Sequence, residues 1–114
     1  MNSDIKVQAT LHFLKAVKQL SKKYPSLKKD IEKLIAQISA NPFSGTPIGR
    51  NCYKIRLKIS SKNTGKSGGA RVITFVALIE KKVVLVDIFD TSDVDNIPDK
   101  YLIELLKKLK DNIV

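Results

Sequence analysis

Residues 53–74 read YKIRLKISSKNTGKSGGARVIT, and the organisation of the chain follows from this stretch. From Cys52 to Ile59 the residues alternate: Ile55, Leu57 and Ile59 on one side, Lys54, Arg56 and Lys58 on the other. That is the period of a strand with one buried face. A Ser/Gly/Lys loop over 60–69 follows. Residues 70–79 are apolar apart from Arg71 and Thr74, which predicts a central strand. Glu80-Lys81-Lys82 predicts a hairpin turn, and 83–89 the returning strand. Three consecutive antiparallel strands therefore occupy the middle of the chain.

Outward from this core, residues 4–9 alternate as a half-buried edge strand does. Phe13, Leu14, Val17 and Leu20 recur at helical spacing, predicting an amphipathic helix near 10–22. Tyr24-Pro25 interrupts it, because proline disfavours helix at the residue before it. Ser26 is placed to cap a second helix whose stripe is Leu27, Ile31, Leu34, Ile35 and Ile38 and which Asn41-Pro42 ends. Residues 41–51, with two prolines and two glycines, read as a loop. An acidic loop over 90–98 leads to a final helix over 100–110, apolar at Leu102, Leu105, Leu106 and Leu109. One α+β domain over 1–114 is expected, with a small antiparallel sheet of about four strands, an N-terminal helical hairpin and a C-terminal helix.

The chain carries a formal net charge of +10, and no Asp or Glu occurs between Glu32 and Glu80. Lys54, Arg56, Lys58, Lys62, Lys66 and Arg71 all fall in that interval. Like charges at alternate strand positions repel, so a face of this kind asks for an anionic partner, and a nucleic-acid backbone is the commonest. An acidic protein partner fits the same charge. There is no signal-like segment and no apolar run long enough to span a bilayer, so a cytoplasmic protein is expected.

Other site classes fit the residues poorly. Gly65-Lys66-Ser67 resembles the end of a phosphate-binding P-loop, but position 60 is Ser and a strand rather than a helix follows. With one histidine, His12, and one cysteine, Cys52, neither a zinc site nor a Cys-His or Ser-His-Asp centre is expected. Cys52 adjoins an apolar strand and reads as a buried thiol. Asp87, Asp90, Asp93, Asp95 and Asp99 match no EF-hand loop. They read as capping and dipole-complementing acids before the last helix, or as an electrostatic counterpart to the basic face. An enzyme built from this chain must use Lys, Arg, Tyr or carboxylate groups.

These residues resemble the RelE/ParE superfamily of toxins from type II toxin–antitoxin modules, and its HigB/RelE-like branch in particular. The resemblance spans roughly residues 11–107. It rests on Tyr24-Pro25-Ser26-Leu27-Lys28, Asn41-Pro42-Phe43-Ser44-Gly45, Tyr53-Lys54-Ile55-Arg56, residues 65–73 (GKSGGARVI) and Asp95-Asn96-Ile97. It implies a RelE-like fold with helices on one side of a twisted sheet and a basic cleft on the other. It further implies a ribosome-dependent, metal-independent and cofactor-free mRNA endonuclease that inhibits translation, and a cognate antitoxin that covers the cleft. Assembly as a homodimer or with the antitoxin is left open. Carried over by position, Arg71, Arg56 and Lys54 are the catalytic candidates, and Lys58, Lys62 and Lys66 the RNA-binding ones. The chain departs from the branch at Thr91, where members commonly carry a basic residue. Tyr101, its one tyrosine near the C-terminus, lies in the last helix and reads as packing. Two other readings stay open: a ParE-like, non-enzymatic gyrase inhibitor, and a catalytically inactive member that binds RNA or antitoxin.

Overall fold

The computed structural model describes residues 5–61, 69–90 and 97–109. Along the chain run β1 (Lys6–Ala9), α1 (Leu11–Lys23), α2 (Leu27–Ala40), β2 (Thr46–Gly49), β3 (Cys52–Leu57), β4 (Ala70–Ala77), β5 (Lys82–Asp90) and α3 (Asp99–Lys107). The strands form one sheet in the order β1-β5-β4-β3-β2. β1 runs parallel to β5 and the remaining pairs are antiparallel.

The α+β architecture matches the expectation from sequence, with two differences in the sheet. The strand β2 lies inside the segment read as a loop. Its Pro47 is tolerated because β2 is an edge strand. The connection to β3 places Arg50 at φ 57° and Asn51 at φ 62°, the two left-handed residues that a tight hairpin turn of primed type demands. The bidentate pairing of Arg50 with Asp99, Nε and Nη2 each 3.0 Å from a carboxylate oxygen, ties this turn to the first turn of α3. The second difference is β1, which makes the sheet mixed by joining β5 in parallel.

The sheet packs on both faces. Phe13, Leu27, Ile31, Leu34 and Ile38 of α1 and α2 cover Ile55, Leu57, Val72, Val76, Val83, Leu85 and Ile88. On the opposite face Leu102 and Leu105 of α3 cover Cys52, Ile73, Val84 and Val86. The helices are thus not confined to one side: α3 shares the face from which Lys54 and Arg56 project. Ile59 continues the alternation past the end of β3 and is 2% exposed.

Two glycines hold β3 in place. Gly45 has φ 99°, and a Cβ there would stand 2.6 Å from the Lys54 carbonyl oxygen. Gly69 has φ 119°, and a Cβ there would stand 2.3 Å from the Leu57 carbonyl oxygen. The first closes the Asn41–Gly45 turn, in which the Asn41 carbonyl accepts from the Ser44 N–H and hydroxyl. The second lets β4 begin flush against the end of β3.

The join between β1 and α1 is made by Thr10, 3% exposed. Its hydroxyl accepts the Phe13 N–H at 3.0 Å, capping α1, and donates to the Val86 carbonyl at 3.2 Å. Val86 is an extra residue in β5: Ile73 pairs with Asp87 while Thr74 pairs with Leu85. Such a bulge turns neighbouring side chains to one face. Replacing Thr10 with Val keeps the shape and removes both bonds. The expected cost is about 2 kcal/mol, from a lost cap and a buried carbonyl left without its donor. Urea unfolding of Thr10→Val and Thr10→Ser checks this, and the serine variant should retain most of the stability.

Candidate nucleic-acid interface

The register brings the predicted cations together. Arg56 on β3 lies directly opposite Arg71 on β4. Directly opposed residues in antiparallel strands have Cβ atoms about 5 Å apart, so these two arginines repel unless an anion lies between or above them. Lys54 is one position along on the same face, opposite Ile73, and Lys58 continues the row beyond the strand. Arg56 and Lys58 are exposed, Lys54 is half-buried, and Arg71 is only 7% exposed. One Arg71 Nη1 donates to the Ala70 carbonyl at 3.4 Å. Arg56 thus presents its charge outward, while Arg71 supports it from beneath. Lys62 and Lys66 lie outside the described residues, as does Thr91.

The end of the basic strand is anchored by a carboxylate that sequence reasoning passed over. Asp30 of α2 is 4% exposed. It accepts the Ser60 N–H at 2.9 Å, the Ser60 hydroxyl at 2.6 Å and the Ser26 hydroxyl at 2.8 Å. Ser26 therefore does not cap α2 with its side chain. Its hydroxyl works instead between Asp30 and Ser61, from whose N–H it accepts at 2.8 Å. Burial pushes the Asp30 carboxyl up, but the Ser60 and Ser26 hydrogen bonds and the charge of Lys33 outweigh it and leave the pKa below the ordinary value.

The described acids disperse to separate partners. Asp90 accepts from the Tyr24 hydroxyl at 2.6 Å, with the Lys23 ammonium 3.9 Å away. Asp99 holds Arg50 rather than capping α3, whose N-cap is Pro98. Asp87, beside the Val86 bulge, accepts the Tyr101 hydroxyl at 2.5 Å and the Ile88 N–H at 2.8 Å, and lies 3.0 Å from His12 Nε2. Burial and this contact push the Tyr101 hydroxyl well above the usual phenol range. His12, read from sequence as an isolated ring, thus has a carboxylate partner. The sequence signal was too faint to find it, because the contact depends on the parallel docking of β1. His12, Ala16, Asp87, Phe89, Ile97 and Tyr101 line a cavity of about 560 Å³ on the α3 side of the sheet.

Among the described residues no group of three His, Cys, Asp or Glu side chains is placed to hold a metal ion, and no helix is long and apolar enough to cross a membrane. Cys52 is 1% exposed, and burial pushes its thiol up to about 11.

The fold and face define a small basic α+β protein whose cations cluster across two central strands. No family model and no curated protein matches the sequence. Among solved structures the chain is similar to the E. coli toxin RelE, an arginine-to-alanine double mutant in the free state. The TM-score is 0.62 at 16% identity, with 95% of this chain and 98% of that chain covered. The fold is RelE-like.

Two outcomes follow from the site's electrostatics. The depressed Asp30 pKa means that its ionised form stabilises the fold above the unfolded carboxyl value, about 3.9, and that this contribution fades as pH falls through the folded value. Asp30→Asn should therefore cost about 2 kcal/mol at pH 7, and the gap to wild type should close below about pH 4 in urea titrations. At pH 8 about one Cys52 thiol in a thousand is ionised, so alkylation by iodoacetamide should be far slower in the native protein than in urea.

Proposed function

We propose that this chain is the toxin of a type II toxin–antitoxin module, one RelE/ParE-like domain that cuts mRNA on the ribosome and so inhibits translation in the cytoplasm. The observation that carries this reading is the pairing of Arg56 with Arg71, flanked by Lys54 and Lys58, on one face of a RelE-like sheet. The mRNA backbone supplies the anion that this face lacks. Cleavage by the neighbouring 2′-hydroxyl needs that group deprotonated, the pentavalent phosphorane stabilised and the leaving oxygen protonated. Arg56 and Arg71 serve the second need, since fixed cations act most strongly where charge develops. Lys54, crowded by like charge, serves in proton transfer, because neighbouring cations favour its neutral form. Lys58, Lys62 and Lys66 hold flanking phosphates. The mechanism calls on no metal or cofactor. A cognate antitoxin with an acidic segment would silence the protein by covering the same face.

A second reading is kept for one reason. Thr91 stands where the HigB/RelE-like branch commonly has a cation, and a member that binds RNA or antitoxin without cutting would tolerate that loss. The gyrase-directed alternative makes no use of the Arg56–Arg71 pair.

Purified protein added to an in vitro translation reaction, followed by primer extension on the mRNA, separates these readings. Cuts that appear only with ribosomes are expected. Arg71→Ala and Arg56→Ala should each abolish cutting and growth inhibition while the circular dichroism spectrum is unchanged. Intact mRNA with uninhibited translation, or toxicity that survives Arg71→Ala, overturns the reading. Arrest of DNA synthesis before translation points to gyrase.

A further inference from the structure

We infer that His12 is the general acid of this site, oriented by Asp87; the inference rests on the RNA-cleavage reading above. His12 Nε2 lies 3.0 Å from Asp87 Oδ1, and the two side chains are 50% and 6% exposed. The buried carboxylate also receives the Tyr101 hydroxyl and the Ile88 N–H. With a carboxylate as acceptor, the proton sits on Nε2, and Nδ1 is left as the atom that can exchange a proton with a ligand. The Val86 bulge turns Asp87 to this face, and Thr10 fixes the start of α1 one residue before the ring's neighbour Leu11. A histidine held by a buried carboxylate, with its second nitrogen accessible, is a geometry suited to proton transfer.

The location fits the chemistry. Arg56, Arg71 and Phe89 form one row across β3, β4 and β5, and Phe89 lines the cavity that also contains His12, Asp87 and Tyr101. Adjacent strands are about 4.8 Å apart, so the row spans about 10 Å from Arg56 to the cavity edge, the scale of one phosphodiester and its sugar. A scissile phosphate lying over this row contacts the arginines on one side and His12 on the other. In the step, the 2′-oxygen forms a bond to phosphorus and gives its proton to the neutral Lys54 amine. The bond from phosphorus to the 5′-oxygen breaks, and that oxygen takes the Nδ1 proton of the His12 imidazolium. The products are a 2′,3′-cyclic phosphate, a 5′-hydroxyl, a Lys54 ammonium and a neutral imidazole still bonded through Nε2–H to Asp87. Histidine is the one side chain whose ordinary pKa suits this exchange near neutrality, and His12 is the only histidine in the chain. The titratable groups facing the ring are Asp87 from β5, Tyr101, Glu104 and Lys108 from α3, and Lys15 one turn along α1.

The test is single-turnover cleavage of ribosome-bound mRNA by wild type and His12→Gln between pH 5.5 and 9, with ribosome affinity measured alongside. Each protein is given two substrates, one ordinary and one with sulfur replacing the bridging 5′-oxygen at the cut site. A thiolate leaves without an acid. His12→Gln can still donate to Asp87, so its affinity should stay within about twofold of wild type, while the ordinary substrate slows about 100-fold. The wild-type rate should fall on the alkaline side as the imidazolium is lost, and the variant should lack that limb. The sulfur substrate should return the variant to within about tenfold of wild type. Equal slowing on both substrates, or wild-type rates from the variant, overturns the acid role and leaves the cleavage reading standing. A wild type that cuts neither substrate overturns both.

Discussion

The hydroxyl of Thr10 joins elements that the chain itself keeps far apart. It ends β1, caps α1 and grips the carbonyl of Val86 in the middle of β5. β1 is only four residues long and stops opposite Leu85, so the second half of that edge of β5 has no strand beside it. The helix α1 begins there instead. Where α1 begins fixes where His12 stands, and the bulge that Thr10 holds fixes which way Asp87 points. The packing of Phe13 into the helix-side core and the contact of His12 with the opposite face both follow from this one buried side chain.

Much of the fold was legible because its strands and helices bury simple stripes. The alternation over Cys52–Ile59 placed β3 and its two faces, and the unbroken apolar run after Arg71 placed β4 at the centre. What could not be read was β2, where Pro47 and Gly49 mask a strand that makes its hydrogen bonds on one side only. Nor could the partner of β1 be read. Parallel pairing across intervening elements leaves no local mark, and the residue pattern over 4–9 fits any edge.

The candidate site divides in the same way. Lys54, Arg56, Lys58 and Arg71 were visible as charges at strand spacing, and the register puts Arg56 against Arg71. Their burial was not visible: Arg71 looked equal to Arg56 in the sequence, yet it lies beneath the surface while Arg56 stands out from it. Asp30 looked like an ordinary first-turn acid, and its work on Ser60 depends on where β3 ends. The five clustered aspartates looked like one feature. Those described serve three unrelated contacts, because neighbours along a chain diverge once it turns from strand to helix.

His12 meets Asp87 across 75 positions of chain, and Thr10 meets Val86 across 76. Contacts of such separation require the largest loop closures, and they form late. A chain made from its N-terminus must emerge almost entirely before β1 and the start of α1 can find β5. The lysine face of β3 has no such delay, since it pairs with nearby β2 and β4. A nascent copy of this protein therefore displays its grip on polyanions well before the ring of His12 has anything to face, and the two halves of the site are separated in time as well as in sequence.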